Sequence, residues 1–121
     1  MSLIDFLFGG SNKNSENDNP KQISAQQAKS MMDEGKPYIL LDVRTPQEYK
    51  QVRIDGAKSL PIDEIGNRAQ AELPDKQIPI LVYCQSGMRA GRASKMLADM
   101  GYAKVFNCGG IIDWPYKTIK G

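Results

Sequence analysis

The run Ile80-Leu81-Val82-Tyr83, followed at once by Cys84-Gln85-Ser86-Gly87-Met88-Arg89-Ala90, constrains this chain more than any other stretch. Four consecutive apolar residues fit a short strand covered on both faces. Beyond them Ala90, Ala93, Leu97 and Met100 recur at helical spacing, up to Gly101. A thiol therefore sits where a buried strand stops and a helix starts. Backbone N–H groups at such a junction point inward and carry the positive end of the helix dipole. Concave loops of this kind bind anions. The anion expected here is covalently attached, the thiolate of Cys84.

Charge placement supports that reading. Cations normally avoid the first turn of a helix, yet this helix opens with Arg89 and Arg92. A thiolate or a bound anion in the loop would compensate, and broken local rules tend to mark functional sites. The plainer alternative is a pair of solvated arginines beside a small buried thiol. Asp99 near the far end of the helix is not diagnostic, because Asp33 and Glu34 end another predicted helix in the same way.

The remaining composition works mainly by exclusion. A chain of 121 residues, 40% hydrophobic and 25% charged, fits one soluble globular domain. The net charge of +2 is too weak to imply nucleic acid. Two cysteines, Cys84 and Cys108, are no disulfide framework. With no signal-peptide pattern, they place the chain in a reducing, cytoplasmic setting. Histidine is absent, which excludes a Cys-His catalytic pair and a His-ligated metal. Two cysteines alone make no zinc site, so neither a metal nor another cofactor is expected. Activation of Cys84 falls to backbone dipoles and arginine.

Residues 1–20 read as a tail. Leu3, Ile4, Phe6, Leu7 and Phe8 form a short apolar tip, far below the ~20 residues of a membrane-spanning helix. Residues 11–20 are polar and charged and bury too little to order themselves. The domain is expected over residues 21–121. Ser24 and Gln27 form a capping box, opening a helix that ends at Gly35. Tyr38-Ile39-Leu40-Leu41 reads as a buried strand with Asp42 and Arg44 at its end. Thr45-Pro46-Gln47-Glu48 is a second capping box, opening a short helix to Gln51. Ile54-Asp55-Gly56 reads as a turn, residues 57–60 as a weak strand, and Asp63 as the cap of a helix to Leu73. Residues 103–106 make a last strand, and Gly109-Gly110 opens a helical turn through Trp114. Strands alternating with helices indicate parallel crossover units. Ligands in such sheets bind beyond the carboxyl ends of strands, where Cys84, the pair Asp42 and Arg44, and Cys108 all fall.

Four motifs in this order resemble a single-domain rhodanese: Leu41-Asp42-Val43-Arg44-Thr45-Pro46-Gln47-Glu48-Tyr49, Ile54-Asp55-Gly56-Ala57, Cys84-Gln85-Ser86-Gly87-Met88-Arg89, and Gly109-Gly110-Ile111 with Trp114. The resemblance spans residues 21–121. It implies an α/β fold in three layers, with a mostly parallel five-stranded sheet in the order 3-2-4-5-1 and helices on both faces. It also implies a sulfurtransferase. Cys84 would attack the sulfane sulfur of a small anion such as thiosulfate, become a persulfide, and pass the sulfur to cyanide, a low-molecular-weight thiol or a protein thiol. Gln85, Ser86, Gly87, Met88, Arg89 and Ala90 would bind the substrate, the loop amides cradling the persulfide and Arg89 holding the sulfonate end. Neither nucleic acid nor a transmembrane segment is implied.

The residue types suit that chemistry. Attack on sulfur needs thiolate, and helix N-termini or arginine neighbours favour it. Gly87 fits a loop that turns sharply towards an anion. Ser86 would bond either the anion or the loop itself. Asp42 either orients the loop and Arg44 or caps the next turn. Arg53 stands where family members commonly carry histidine, so no family role is carried over to it. Cys108 is either packing or a resolving thiol for Cys84. Two rivals remain: a non-catalytic or regulatory module of the same fold, and a cysteine phosphatase or arsenate reductase. The phosphatase loop is Cys-x5-Arg, one residue longer than the Cys-x4-Arg found here.

Overall fold

The computed structural model describes residues 19–121. The reading of a tail with an apolar tip falls on residues outside these, apart from Asn19 and Pro20. Asn19 is bonded to the domain: its Nδ2 donates to the Tyr102 carbonyl at 3.0 Å, and its Oδ1 accepts from the Val105 N–H at 3.0 Å.

Among the described residues, seven strands and four α-helices follow one another. They are β1 (Lys21–Gln22), α1 (Ala25–Asp33), β2 (Ile39–Asp42), α2 (Pro46–Gln51), β3 (Val52–Ile54), β4 (Lys58–Ser59), α3 (Ile65–Glu72), β5 (Ile80–Cys84), α4 (Met88–Asp99), β6 (Val105–Gly110) and β7 (Thr118–Lys120). Five strands form one sheet in the order β1-β6-β5-β2-β4, and every pairing in it is parallel. Numbered among themselves, these strands give the 3-2-4-5-1 order that the resemblance implies, read from the other edge.

The local signals explain the elements. Both predicted capping boxes form. The Ser24 hydroxyl accepts from the Gln27 N–H at 3.1 Å, and the Gln27 side chain accepts from the Ser24 N–H at 2.8 Å. Thr45 and Glu48 repeat the pattern at the start of α2, with Pro46 as the first helical residue. The unbroken apolar runs of β2 and β5 become central strands, buried on both faces. Alternate side chains feed two cores. Leu41, Val82, Cys84, Ala90, Ala93, Leu97 and Val105 pack on the face covered by α3 and α4. Leu40, Leu81, Tyr83 and Cys108 pack on the other face with Ala28 of α1.

Several boundaries differ from the sequence reading. Asp63 does not cap α3. Pro61 opens a 3-10 turn over Ile62–Glu64, and α3 continues from it without a side-chain cap. Ile54 is not in a turn: it ends β3, which pairs antiparallel with β7. The two-stranded sheet has no counterpart in the sequence reading, and the edge strand that the resemblance implies is the two-residue β1. β6 runs four residues past Phe106, so Cys108 lies inside the strand rather than after it.

One irregularity positions the site. Along β5 and β6, Val82 pairs with Asn107 but Cys84 pairs with Gly110. Three steps on β6 match two on β5, a bulge. Bulges bend a strand and re-aim side chains. Here the bulge sets Gly110 directly beside Cys84.

Candidate active site

Cys84 is the last residue of β5 and only 1% exposed. The chain then turns through Gln85 and Ser86 to Gly87, the N-cap of α4. Gly87 has φ +113°, a left-handed conformation that glycine adopts without the Cβ penalty. That turn aims the Gly87 N–H at the cysteine, and it donates to Cys84 Sγ at 3.0 Å. One loop N–H thus reaches the sulfur, at the N-terminus of a twelve-residue helix.

The loop is held tightly from the β6 side. A Cβ on Gly110 would meet the Gln85 carbonyl oxygen at 2.2 Å and the Ser86 Cα at 2.6 Å. Only glycine allows the backbones to approach so closely. Just beyond, the Ile112 N–H donates to the Gln85 carbonyl at 3.3 Å. Gln85, Ser86 and Met88 face solvent, Gly87 and Arg89 are half-buried, and Ala90 is buried in the core under α4. Met88 and Ile112, 81% and 62% exposed, are the large apolar side chains left open to solvent among the described residues, and both flank this loop.

Asp42 and Arg44 form a buried ion pair below the loop. Arg44 Nη2 donates to Asp42 Oδ2 at 2.8 Å and to the Val52 carbonyl at 2.5 Å, while Nη1 reaches Gln85 Oε1 at 3.3 Å. The Tyr83 hydroxyl donates to Asp42 Oδ2 at 2.7 Å and accepts the Ile54 N–H at 3.0 Å. This network joins β2, β3, β5 and the cysteine loop. Burial works against the Arg44 charge, but the bonds and negative charge of Asp42 outweigh it, so the guanidinium holds its proton more firmly than usual. Burial and the Asp42 charge push the Tyr83 phenol up. Asp42 combines the two roles left open for it, since its Oδ1 also accepts the Arg44 backbone N–H at 2.9 Å, a local turn bond.

Glu48 joins the site, and the sequence reading saw only its capping role. Arg89 donates to it through both outer nitrogens, Nη1 to Oε1 at 2.8 Å and Nη2 to Oε2 at 3.1 Å. The Arg89 bond holds the Glu48 carboxyl at about 2, well below its usual value. The same bond raises Arg89, and the nearby Cys84 sulfur adds to the effect. Arg89, expected to grip a donor, is thus already gripped.

Arg92 and Arg53 stand apart from this arrangement. Arg92 lines a groove of about 690 Å³ with Asp63 and Asp99, away from Cys84. Arg53 stacks over the Tyr49 ring at 4.9 Å and donates to the Tyr49 carbonyl at 3.3 Å. Cys108 lies on the opposite face of the sheet from Cys84 and is pushed up to about 12 by burial. Both thiols are free. Among the described residues, no group of three or more Cys, Asp or Glu is placed to hold a metal ion, and no helix is long and apolar enough to cross a membrane.

A family model described as the rhodanese-like domain matches residues 24–115. The chain belongs to the rhodanese-like family. Among its relatives, thiosulfate sulfurtransferase PspE of Escherichia coli (strain K12) is 38% identical over 81 residues, covering 67% of this chain and 78% of that protein. A sulfurtransferase of Allochromatium vinosum is 35% identical over 94 residues, covering 77% and 86%. A solved rhodanese with anions from E. coli superposes with a TM-score of 0.65 at 37% identity, covering 69% of this chain and 99% of that one. Some relatives are longer: of two from Bacillus subtilis this chain spans 63% and 59%. In this chain the cysteine loop is tied to the Asp42–Arg44 pair through the Gln85 side chain and to β6 through the close approach of Gly110.

Proposed function

We propose that this rhodanese-like protein is a sulfurtransferase that carries sulfane sulfur on Cys84 as a persulfide. One observation carries the reading: the buried Cys84 Sγ accepts the Gly87 N–H at 3.0 Å at the N-terminus of α4. Sulfurtransferase relatives at 35–38% identity support it. In the first half-reaction the Cys84 thiolate attacks the outer sulfur of thiosulfate. The sulfur–sulfur bond breaks and sulfite leaves with the electron pair. In the second, an acceptor thiolate or cyanide takes that outer sulfur and the Cys84 thiolate is regenerated. No proton has to be removed by a base in either step, which suits a chain without histidine. The amides from Gln85 to Ala90 would hold the persulfide. Asp42 and Arg44 would act through the loop by fixing Gln85. The reducing, cytoplasmic setting read from the two cysteines belongs to the same proposal.

The test is Cys84→Ser in a thiosulfate-to-cyanide assay. The serine hydroxyl carries no sulfane sulfur, so thiocyanate production should vanish while circular dichroism and melting stay at wild-type values. Retained activity in the serine variant would overturn the assignment.

A further inference from the structure

Arg89 was expected to meet the negative end of the donor, but Glu48 already occupies both outer nitrogens of its guanidinium. Glu48 is not a mobile side chain that a donor can push aside cheaply. Its Oε1 also accepts the Thr45 N–H at 2.9 Å and the Thr45 hydroxyl at 3.2 Å, so the carboxylate is anchored at the start of α2. Its proton is lost far below neutral pH, because Arg89 holds the charged form. The pair therefore contributes no net charge where the donor docks. What remains is the end of α4, worth about half a unit of positive charge. With Arg89 unpaired the cradle would hold about one and a half units. Arg92 belongs to a separate groove, lined with it by Asp63, Lys95 and Asp99 and by none of the cysteine-loop residues.

We propose that Glu48 sets the donor's charge class: by neutralising Arg89, it tunes the Cys84 cradle to singly charged sulfane donors and against dianions such as thiosulfate. The inference rests on the sulfurtransferase reading and narrows it. The favoured donors are organic persulfides and thiosulfonates. With a thiosulfonate, the Cys84 thiolate attacks the outer sulfur, the sulfur–sulfur bond breaks and a sulfinate leaves with the electron pair. With thiosulfate the leaving group is sulfite, and the enzyme form produced is the same persulfide. Glu48 is a positioning residue here, because it acts on the donor through Arg89.

The experiment compares sodium thiosulfate with sodium methanethiosulfonate, which has the same type of sulfur–sulfur bond and one negative charge fewer. kcat/KM is measured for both donors with cyanide as acceptor, at low ionic strength, on the full chain. Wild type should favour methanethiosulfonate. Glu48→Gln keeps the capping box, which accepts glutamine as well as glutamate, and releases Arg89. It should raise the thiosulfate-to-methanethiosulfonate ratio about tenfold, the effect of about one unit charge near the protein surface. Added salt should shrink that rise. Glu48→Gln combined with Arg89→Gln removes both charges and should return the ratio to the wild-type value. A ratio that does not change in Glu48→Gln, or stays high in the double variant, would overturn the proposal while leaving sulfur transfer itself intact. If neither donor leaves sulfur on Cys84 by mass spectrometry, the underlying sulfurtransferase reading falls as well.

Discussion

Gly110→Ala is the sharpest test of how the site is built. The new methyl would sit 2.2 Å from the Gln85 carbonyl oxygen and 2.6 Å from both the Gln85 carbonyl carbon and the Ser86 Cα. These are backbone atoms, so no rotamer change relieves the clash. Ordinary contacts lie at about 3.5 Å, and the loop must retreat by roughly 1 Å. Overpacking costs about 1–3 kcal/mol and occasionally more, and a clash against backbone belongs at the upper end. At about 4–8 °C per kcal/mol for a domain of this size, Tm should fall by at least about 12 °C. The same displacement pulls the Gly87 N–H from its 3.0 Å contact with Cys84 Sγ, so sulfur loading should fall as well. Gly66→Ala is the internal control. Gly66 is helical, and nothing lies within 4 Å of the added Cβ, so that variant should gain about 0.5 kcal/mol. Differential scanning calorimetry and single-turnover sulfur loading read both effects. A Gly110→Ala protein that melts within about 2 °C of wild type and loads sulfur normally would refute the close-approach argument.

Three further outcomes follow from the geometry. Arg44→Met leaves the fully buried Asp42 carboxylate without its ion-pair partner and should cost about 3–5 kcal/mol in urea unfolding; a loss below about 1 kcal/mol would mean the pair is solvated. Iodoacetamide near neutral pH should modify Cys108 slowly in the native protein, because burial pushes its thiol up to about 12, and rapidly once urea exposes it; equal rates in the two states would contradict that burial. Glu48 is held at about 2 against an ordinary 4.5, so its ion pair contributes fully above the ordinary value and is lost as pH falls towards the native one. The stability gap between wild type and Glu48→Gln, about 1 kcal/mol at neutral pH after solvent screening, should close over that range, and a gap that persists at about pH 2 would show that the gap does not come from the charge.

The sequence carried the sheet because its central strands are continuous apolar runs and two helix starts are capping boxes. Those signals are local. The features it concealed depend on residues far apart in the chain. β3 and β7 are three residues each and take their stability from one another, so neither shows a strand pattern alone. Asp63 looks like a helix cap, but a 3-10 turn beginning after Pro61 places it inside the turn. Glu48 had a complete local explanation as a capping residue, and its partner Arg89 lies 41 positions away. The one available clue was the cationic first turn of α4, which called for a compensating anion. The sequence reading assigned that anion to the thiolate or a ligand, and Glu48 supplies part of it. Cys108 was expected after its strand because the bulge against β5 cannot be read from composition. Within the strand, alternation turns its side chain to the face away from Cys84.

The central claim is that Cys84 carries the sulfur. Its most direct test is intact mass followed by peptide mapping after exposure to thiosulfate or methanethiosulfonate. The account predicts a gain of one sulfur atom, located on the Cys84 peptide, discharged by cyanide and absent from Cys84→Ser. A wild-type protein that gains no sulfur from either donor, or gains it on Cys108 with Cys84 unmodified, would contradict it.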